Sequence, residues 1–146
     1  MKLSPHFGLD EFLLSDYAAR NDIDMSPSQE VIDNLAWLCE SVLEPLREEI
    51  GAPIVITSGY RPPKLNEAIG GSRTSAHMHG RAADCYAIGM SIGDFAEVAA
   101  FIDGPIDQVI KEFDRWVHIG IADEPRGQVL TASRQNGQTV YQVGLV

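Results

Sequence analysis

The sequence has little cysteine and few basic residues, and each shortage excludes a class of protein. Two cysteines in 146 residues cannot form a disulfide framework, and they lack a paired spacing typical of zinc. Eleven lysine and arginine residues face 21 acidic ones, so the formal net charge is −10 at pH 7. Because like charges repel, we expect no binding to nucleic acid and none to an anionic membrane surface.

The sequence also lacks a long hydrophobic run and a targeting segment. Pro5 and His6 interrupt the N-terminus before any apolar stretch forms, which argues against a secretory signal and a transmembrane span. We therefore expect synthesis in the cytoplasm and no insertion into a membrane.

The remaining composition is typical of a small globular protein. Hydrophobic residues make up 45% and charged residues 22% of the chain, and its length suits one hydrophobic core. No repeat, low-complexity stretch or flexible linker divides it. We predict a single domain over residues 1–146 and a monomer.

One long helix is predicted after a capping box at Ser26-Pro27-Ser28-Gln29. Five apolar residues then recur at helical spacing until Gly51: Val31, Leu35, Leu38, Val42 and Leu46. Pro45 should kink this helix, since it has no backbone donor. An acidic N-terminal segment is also expected to be helical, with solvated charges at Asp10, Glu11 and Asp16.

Strand patterns and shorter helices alternate along the rest of the chain. Strands are predicted over 53–58, 81–86, 108–113 and 116–121. A short helix is expected over 65–69, another begins at Ser91, and Asn136-Gly137 predicts a terminal hairpin. The predicted fold class is therefore α+β, with an antiparallel sheet that carries the functional site and helices that cover its other face.

Two segments carry residue types that bind metal ions. His77 and Asp84 lie seven positions apart across Gly80, which permits a sharp turn, and His118 follows downstream in Trp116-Val117-His118. Two imidazoles and one carboxylate suit a divalent ion such as zinc and leave a position open for water, as in a catalytic site. A lone histidine is more often structural, so this prediction depends on all three residues converging.

The pattern S-x-H-x-x-G-x-A-x-D followed by W-x-H resembles the zinc D-Ala-D-Ala carboxypeptidase family, which includes bacterial peptidoglycan peptidases and phage endolysins. The segment Ser58-Gly59-Tyr60-Arg61-Pro62 matches that family as well. The similarity extends roughly from Leu3 to Ile121, and its character is closest to the phage and prophage branch. The resemblance implies three zinc ligands and two residues that contact the substrate: His77, Asp84 and His118 for the metal, Arg61 and Ser75 for the substrate.

The activity implied by this resemblance is zinc-dependent hydrolysis of a peptide bond in peptidoglycan stem peptides. Either a D-Ala-D-Ala carboxypeptidase or a phage-type endopeptidase would fit. Arg61 would hold a substrate carboxylate with its planar fork, unless it is a surface arginine paired with a nearby acidic residue. Trp116 shares a strand face with His118, so it either borders the metal and the substrate or belongs to the core.

The general base is the point at which this sequence departs from a relative. The dipeptidase branch of the family has glutamate three residues before the last ligand, where this chain has Arg115. We predict that Glu112 is the base, because a three-residue loop would pair it with Trp116 and turn it towards His118. A two-residue loop would turn Glu112 outward, and Asp114 would then be the alternative.

Two other functions remain open. A metal-loaded but inactive module of the same fold would anchor to the cell wall or form part of a virion, and it would lack a usable base. An iron-dependent oxygenase also uses two histidines and a carboxylate. In that arrangement a histidine usually lies two positions from the carboxylate, whereas the residue two positions before Asp84 is Ala82. His79 is expected to be a bystander, and Cys39 and Cys85 are interpreted as buried thiols.

Overall fold

The computed structural model describes residues 1–146, with helices and strands in alternation. In chain order the elements are β1 (Lys2–Ser4), β2 (Phe7–Gly8), α1 (Leu9–Leu13), α2 (Asp16–Arg20), α3 (Gln29–Leu38), a π-helical segment (Cys39–Leu43), α4 (Glu44–Ile50), β3 (Ile54–Ser58), α5 (Pro63–Ala68), a 3-10 helix (Ala76–His79), β4 (Ala82–Ala87), α6 (Ile92–Phe101), β5 (Ile106–Glu112), β6 (Trp116–Ile121), β7 (Gln128–Gln135) and β8 (Gln138–Val143).

The last six strands form one sheet in the order β3-β4-β6-β5-β7-β8, and β1 and β2 form a separate pair. Neighbouring strands are antiparallel, as predicted, except β5 and β7, which run parallel with Val109 opposite Val129. This exception arises because β6 already occupies one side of β5. The chain over 122–127 crosses the end of β5 before β7 pairs on its free side, and the Gly127 N–H donates to the Ile106 carbonyl on the way.

The predicted terminal hairpin is confirmed. Asn136 and Gly137 join β7 to β8 with φ values of 52° and 77°, and Gln135 pairs directly with Gln138. A two-residue loop with both φ angles positive is the turn whose twist matches that of two antiparallel strands. Asparagine followed by glycine tolerates this conformation better than other residue pairs, which is why the sequence predicts it.

The predicted long helix forms, with two local differences. Its N-cap is Ser28, whose hydroxyl accepts the Val31 N–H at 3.2 Å, so the helix begins two residues after the predicted cap at Ser26. Upstream of Pro45, where a kink is predicted, the helix contains the π-helical segment, in which the Glu44 N–H bonds to the Cys39 carbonyl. The wider turn of a π-helix accommodates Pro45, which has no backbone N–H to donate to the helical hydrogen-bond pattern.

Helices cover one face of the sheet and enclose the core. The cluster contains 23 buried residues, among them Val109, Val117 and Ile119 on the helix-facing side of the sheet. Because side chains alternate along a strand, Glu112 and His118 point to the opposite face. That face is free to carry polar chemistry. None of the helices has the length and apolar character needed to cross a bilayer.

The acidic N-terminal segment is helical, as predicted, but one of its charges is not simply solvated. Asp10 and Asp16 are exposed. Glu11 is half-buried, and its carboxylate accepts the Gly8 N–H at 2.7 Å at the start of α1. This contact closes the first turn of a five-residue helix that has few other bonds of its own.

Candidate metal centre

The 3-10 helix delivers His77 to the sheet. The Ser75 hydroxyl caps it by accepting the His77 N–H at 3.2 Å, and Gly80 ends it with φ of 70°. A Cβ at position 80 would lie 2.7 Å from the Val31 carbonyl oxygen, so both the backbone conformation and the packing against α3 require glycine. The predicted turn at Gly80 is confirmed, and it allows β4 to present Asp84 beside His77.

The three predicted metal-binding residues converge on one point. His77 Nε2 lies 3.2 Å from Asp84 Oδ1 and 3.2 Å from His118 Nδ1, and His118 Nδ1 lies 3.1 Å from Asp84 Oδ1. Asp84 and His118 are direct partners across β4 and β6. Ligand atoms around a tetrahedral zinc ion bonded at about 2.0–2.1 Å are separated by about 3.3–3.4 Å, so this cluster fits zinc with little adjustment.

A backbone carbonyl sets the orientation of His77. The Nδ1–H donates to the Gly59 carbonyl at 2.8 Å, which leaves the lone pair of Nε2 facing the other two ligands. Gly59 is itself pressed against α1, because a Cβ there would lie 2.6 Å from backbone atoms of Phe12. The glycine of the Ser58-Gly59-Tyr60-Arg61 motif thus supports the metal centre, a role that sequence reasoning missed.

Arg61 lies in the centre rather than at the surface. Its Nη2 donates to Asp84 Oδ2 at 3.0 Å and its Nε donates to the Ser58 hydroxyl at 3.1 Å. One Asp84 oxygen therefore faces the imidazoles while the other is held by the guanidinium. The Arg61 side chain is 18% exposed, and its Nη1 makes no hydrogen bond within the protein.

The charges of the cluster stabilise one another in the metal-free protein. Burial alone would raise the pKa of Asp84, but the adjacent imidazoles outweigh it and hold that pKa well below the usual range. Burial alone would lower the pKa of His118, yet the hydrogen bond and charge of Asp84 and the charge of Glu112 raise it overall. Protons and a metal ion therefore compete for the same nitrogen and oxygen atoms.

Glu112 lies in the same cleft. Three residues, 113–115, form the turn between β5 and β6, so Glu112 pairs with Trp116 and shares a face with His118, as one of the two predicted registers requires. Burial, together with the charge of Asp84, raises the pKa of the Glu112 carboxyl. Asp114 does not line the cleft: its carboxylate is 77% exposed and pairs with Lys111 at 3.3 Å.

Trp116 supports Glu112 rather than lining the space around the metal. Its Nε1–H donates to Glu112 Oε1 at 2.7 Å, and its ring meets the Phe113 ring edge-on with centroids 5.8 Å apart. Trp116 lines a depression beside the cleft, so its direct contact with the site is this hydrogen bond. The predicted contact with substrate stays a prediction.

The cleft above the three ligands has a volume of about 580 Å³, which suits a small peptide or other compact ligand. A loop over residues 70–76, which includes Ser75, forms one wall, and side chains of β7 and β8 form another. His79 is exposed and lies outside the cleft, as expected. Cys85 faces the core, and burial raises the pKa of the Cys39 thiol to about 12, so both cysteines are buried free thiols as predicted.

Residues 5–120 match the family model Peptidase M15. The chain belongs to the peptidase M15 family. The comparison with curated proteins gave no match. Membership identifies this M15 peptidase, at the level of the family, as a metallopeptidase of the type that acts on peptidoglycan, and zinc is the metal on which the family depends. The matched range contains the ligand cluster, Arg61 and Glu112, and it ends before β7.

Proposed function

We propose that this M15 peptidase hydrolyses a peptide bond in peptidoglycan stem peptides with zinc held by His77, Asp84 and His118. The observation that carries the proposal is the presence of Glu112 in the cleft of this three-residue cluster. A metal-loaded but inactive module would have no carboxylate placed to move protons there. The iron oxygenase is disfavoured by the family to which the chain belongs.

The metal centre, Glu112 and Trp116 have separate roles in the proposed reaction. Zinc at this site would supply a Lewis acid and a water of lowered pKa. Glu112 would accept a proton from that water and return it to the leaving amine, a task helped by the raised pKa of its carboxyl. The Trp116 N–H holds one Glu112 oxygen in place, so the other oxygen is free to accept and return the proton.

Arg61 and Ser75 are proposed to contact the substrate. The free Nη1 of Arg61 can donate to a substrate carboxylate while Nη2 keeps its bond to Asp84. Arg61→Lys retains the charge but cannot make both contacts, so we expect turnover to fall by about one to two decades. Ser75 lines the wall opposite the C-terminal hairpin, with its hydroxyl already engaged by the His77 N–H.

Two specific reactions fit this arrangement, and the phage-like character of the sequence favours the endopeptidase. We propose cleavage between L-Ala and D-Glu, with the D-Ala-D-Ala carboxypeptidase as the alternative. The acidic chain is proposed to act as a monomer on the wall after release or delivery, without nucleic acid as a partner.

The experiment combines metal analysis with an assay of cleavage. Purified protein should contain about one zinc per chain and release new amino groups from purified peptidoglycan. A matched pair of stem peptides, one with a free terminal D-Ala carboxylate and one amidated there, then separates the reactions. Loss of cleavage on amidation indicates a carboxypeptidase, equal cleavage indicates an endopeptidase, and a zinc-loaded protein that releases no amines contradicts the proposed function.

A further inference from the structure

The C-terminal hairpin extends the metal-bearing face of the sheet beyond the part of the chain that matches the family. Ala132 on β7 pairs with Glu112, and Tyr141 on β8 pairs with Ala132, so these residues form one row across the sheet. Strands lie about 4.8 Å apart, which places the Tyr141 backbone about 10 Å from that of Glu112. Arg134 and Thr139 form the next pair on the same face. The hairpin thus continues the cleft away from the zinc ligands.

Three arginines line this cleft, and two of them are already paired. Arg61 donates to Asp84, and Arg126 binds both carboxylate oxygens of Asp107 at 2.9 and 2.7 Å. Arg134 makes no ion pair and no hydrogen bond through its guanidinium. Its Cζ lies 5.3 Å from the centroid of the Phe113 ring, a cation–π contact that holds the group at the edge of the cleft. Arg134 is therefore the one cleft arginine left without an acidic partner.

Two hydroxyl donors accompany this free cation. Tyr141 and Thr139 both line the cleft, and neither hydroxyl has a hydrogen-bond partner within the protein. Tyr141 is 56% exposed. Partial burial and the charge of Glu112 raise the pKa of its phenol, so the hydroxyl keeps its proton and can donate. A guanidinium flanked by two hydroxyls is suited to an anionic group with oxygen acceptors.

We propose that Arg134, with Tyr141 and Thr139, forms a second carboxylate subsite that binds the substrate peptide on the β7–β8 hairpin, apart from the carboxylate assigned to Arg61. This inference rests on the proposed function, and stem peptides suit it because they carry more than one carboxylate. In a protein of net charge −10, an unpaired cation in the cleft favours acidic substrates over neutral ones. The subsite would set specificity at a distance from the reacting bond.

The test compares three zinc-loaded proteins: wild type, Arg134→Gln and Arg115→Gln. The two variants make the same change of charge, and Arg115 lies on the exposed β5–β6 turn outside the metal cleft. Substrates are a stem peptide with all its carboxylates free and analogues amidated at one carboxylate at a time. We expect Arg134→Gln to raise KM for the free-acid peptide about tenfold with kcat nearly unchanged, as loss of a charged hydrogen bond predicts, and Arg115→Gln to match wild type.

The amidated peptides identify the group that Arg134 binds. On the analogue that lacks that carboxylate, wild type and Arg134→Gln should have the same KM. Arg134→Lys keeps the positive charge, so it should retain part of the preference for the free acid that Arg134→Gln loses. If Arg134→Gln has the same KM as Arg115→Gln on every peptide, or raises KM by the same factor on every amidated peptide, the subsite does not exist.

A binding measurement separates this inference from the proposed function. If wild type cleaves none of the peptides, the proposed function fails, but calorimetric titration of the zinc-loaded protein with the same peptides still tests the subsite. Tighter binding of the free acid than of one amidated analogue, lost in Arg134→Gln and kept in Arg115→Gln, would support it. Equal binding of all forms, or no binding, would overturn it.

Discussion

The Asp84 side chain links both imidazoles of the site to Arg61. One of its oxygens faces the two imidazoles and the other accepts from Arg61, while its carboxyl is almost fully buried. Such a group is ionised only because its neighbours are cationic or able to donate. Its removal should therefore disturb both the metal site and the position of Arg61.

We predict that His77→Ala, Asp84→Ala and His118→Ala each remove the bound zinc, because two protein ligands are too few for tight binding. Elemental analysis of the purified variants measures this directly. His79→Ala is the matched control, since it deletes an imidazole two residues from a ligand but outside the cluster, and it should retain the metal. Normal zinc in any of the three ligand variants would remove that residue from the site.

We predict that Glu112→Gln retains zinc but loses about two to four decades of turnover, the usual value of general acid–base catalysis. Asp114→Asn, which changes the exposed carboxylate of the same turn, should be nearly normal. Trp116→Phe removes the hydrogen bond that lowers the pKa of Glu112, so the acid limb of the pH profile of kcat/KM should move to higher pH. Near-normal turnover of Glu112→Gln would assign the base to another group.

Some of these residue roles could be predicted from the sequence, and others could not. The convergence of His77, Asp84 and His118 follows from residue types and spacing that chemistry restricts strongly. The bond from Arg61 to Asp84 depends on a strand end meeting a neighbouring strand, and that register is not encoded by either residue type alone. For Trp116, the strand face that it shares with His118 could be predicted, but its hydrogen bond to Glu112 could not.

At the scale of secondary structure, one glycine connects the metal site to the core. Gly80 ends the 3-10 helix that carries His77, has a positive φ, and packs against the backbone of α3. Gly89 has a similar φ of 83°, but a Cβ there would meet no atom within 4 Å. The two positions therefore separate the cost of the backbone conformation from the cost of crowding.

We predict that Gly89→Ala lowers the free energy of unfolding by about 1–2 kcal/mol, the cost of a left-handed conformation for an L-residue. Gly80→Ala should lose a further 1–3 kcal/mol or so, because the new methyl overlaps the Val31 carbonyl. It should also weaken zinc binding, since His77 must shift. Urea unfolding and zinc titration of both variants measure these effects. An equal loss of unfolding free energy in the two variants would show that the overlap of the new methyl with α3 costs nothing.

Elements with a strong local signal were predicted well. The alternation of Val117 and Ile119 with His118, the apolar stripe from Val31 to Leu46, and the turn at Asn136-Gly137 are each determined within a few neighbouring residues. The parallel pairing of β5 and β7 was not foreseen, because it depends on which side of β5 remains free after β6 has formed. Topology of that kind is a property of the assembled sheet.

In the whole molecule, the hydrophobic core and the candidate metal site lie on opposite faces of the sheet. Helices bury one side of the sheet in a 23-residue cluster, and the other side brings buried polar groups together. The polar side contributes little apolar burial, so in the absence of metal its buried groups are held by the hydrogen-bonded pairs that Asp84 forms with His77 and His118. Bound zinc would replace those pairs with stronger bonds that exist only in the folded chain.

We predict that the gain in thermal stability from zinc grows as pH rises from about 5.5 to 8, because metal binding requires deprotonated ligands. In the metal-free protein, the lowered pKa of Asp84 contributes stability that is present above about pH 4 and lost in stronger acid. The raised pKa of His118 contributes stability that is full below about pH 6.5 and lost as pH rises through its folded value. The chelator-treated protein should therefore be most stable in mild acid and weaken towards pH 8.

Scanning calorimetry with zinc and with a chelator measures this difference at each pH. At pH 8, free zinc at a hundred times its Kd should add about 2.7 kcal/mol, which corresponds to a rise in Tm of about 5–10 °C for a chain of this length. His118→Ala is the control, since it lacks both the metal site and the titrating imidazole, and its Tm should not respond to zinc. A zinc effect that is as large at pH 5.5 as at pH 8 would show that the titrating cluster and the metal site are not the same residues.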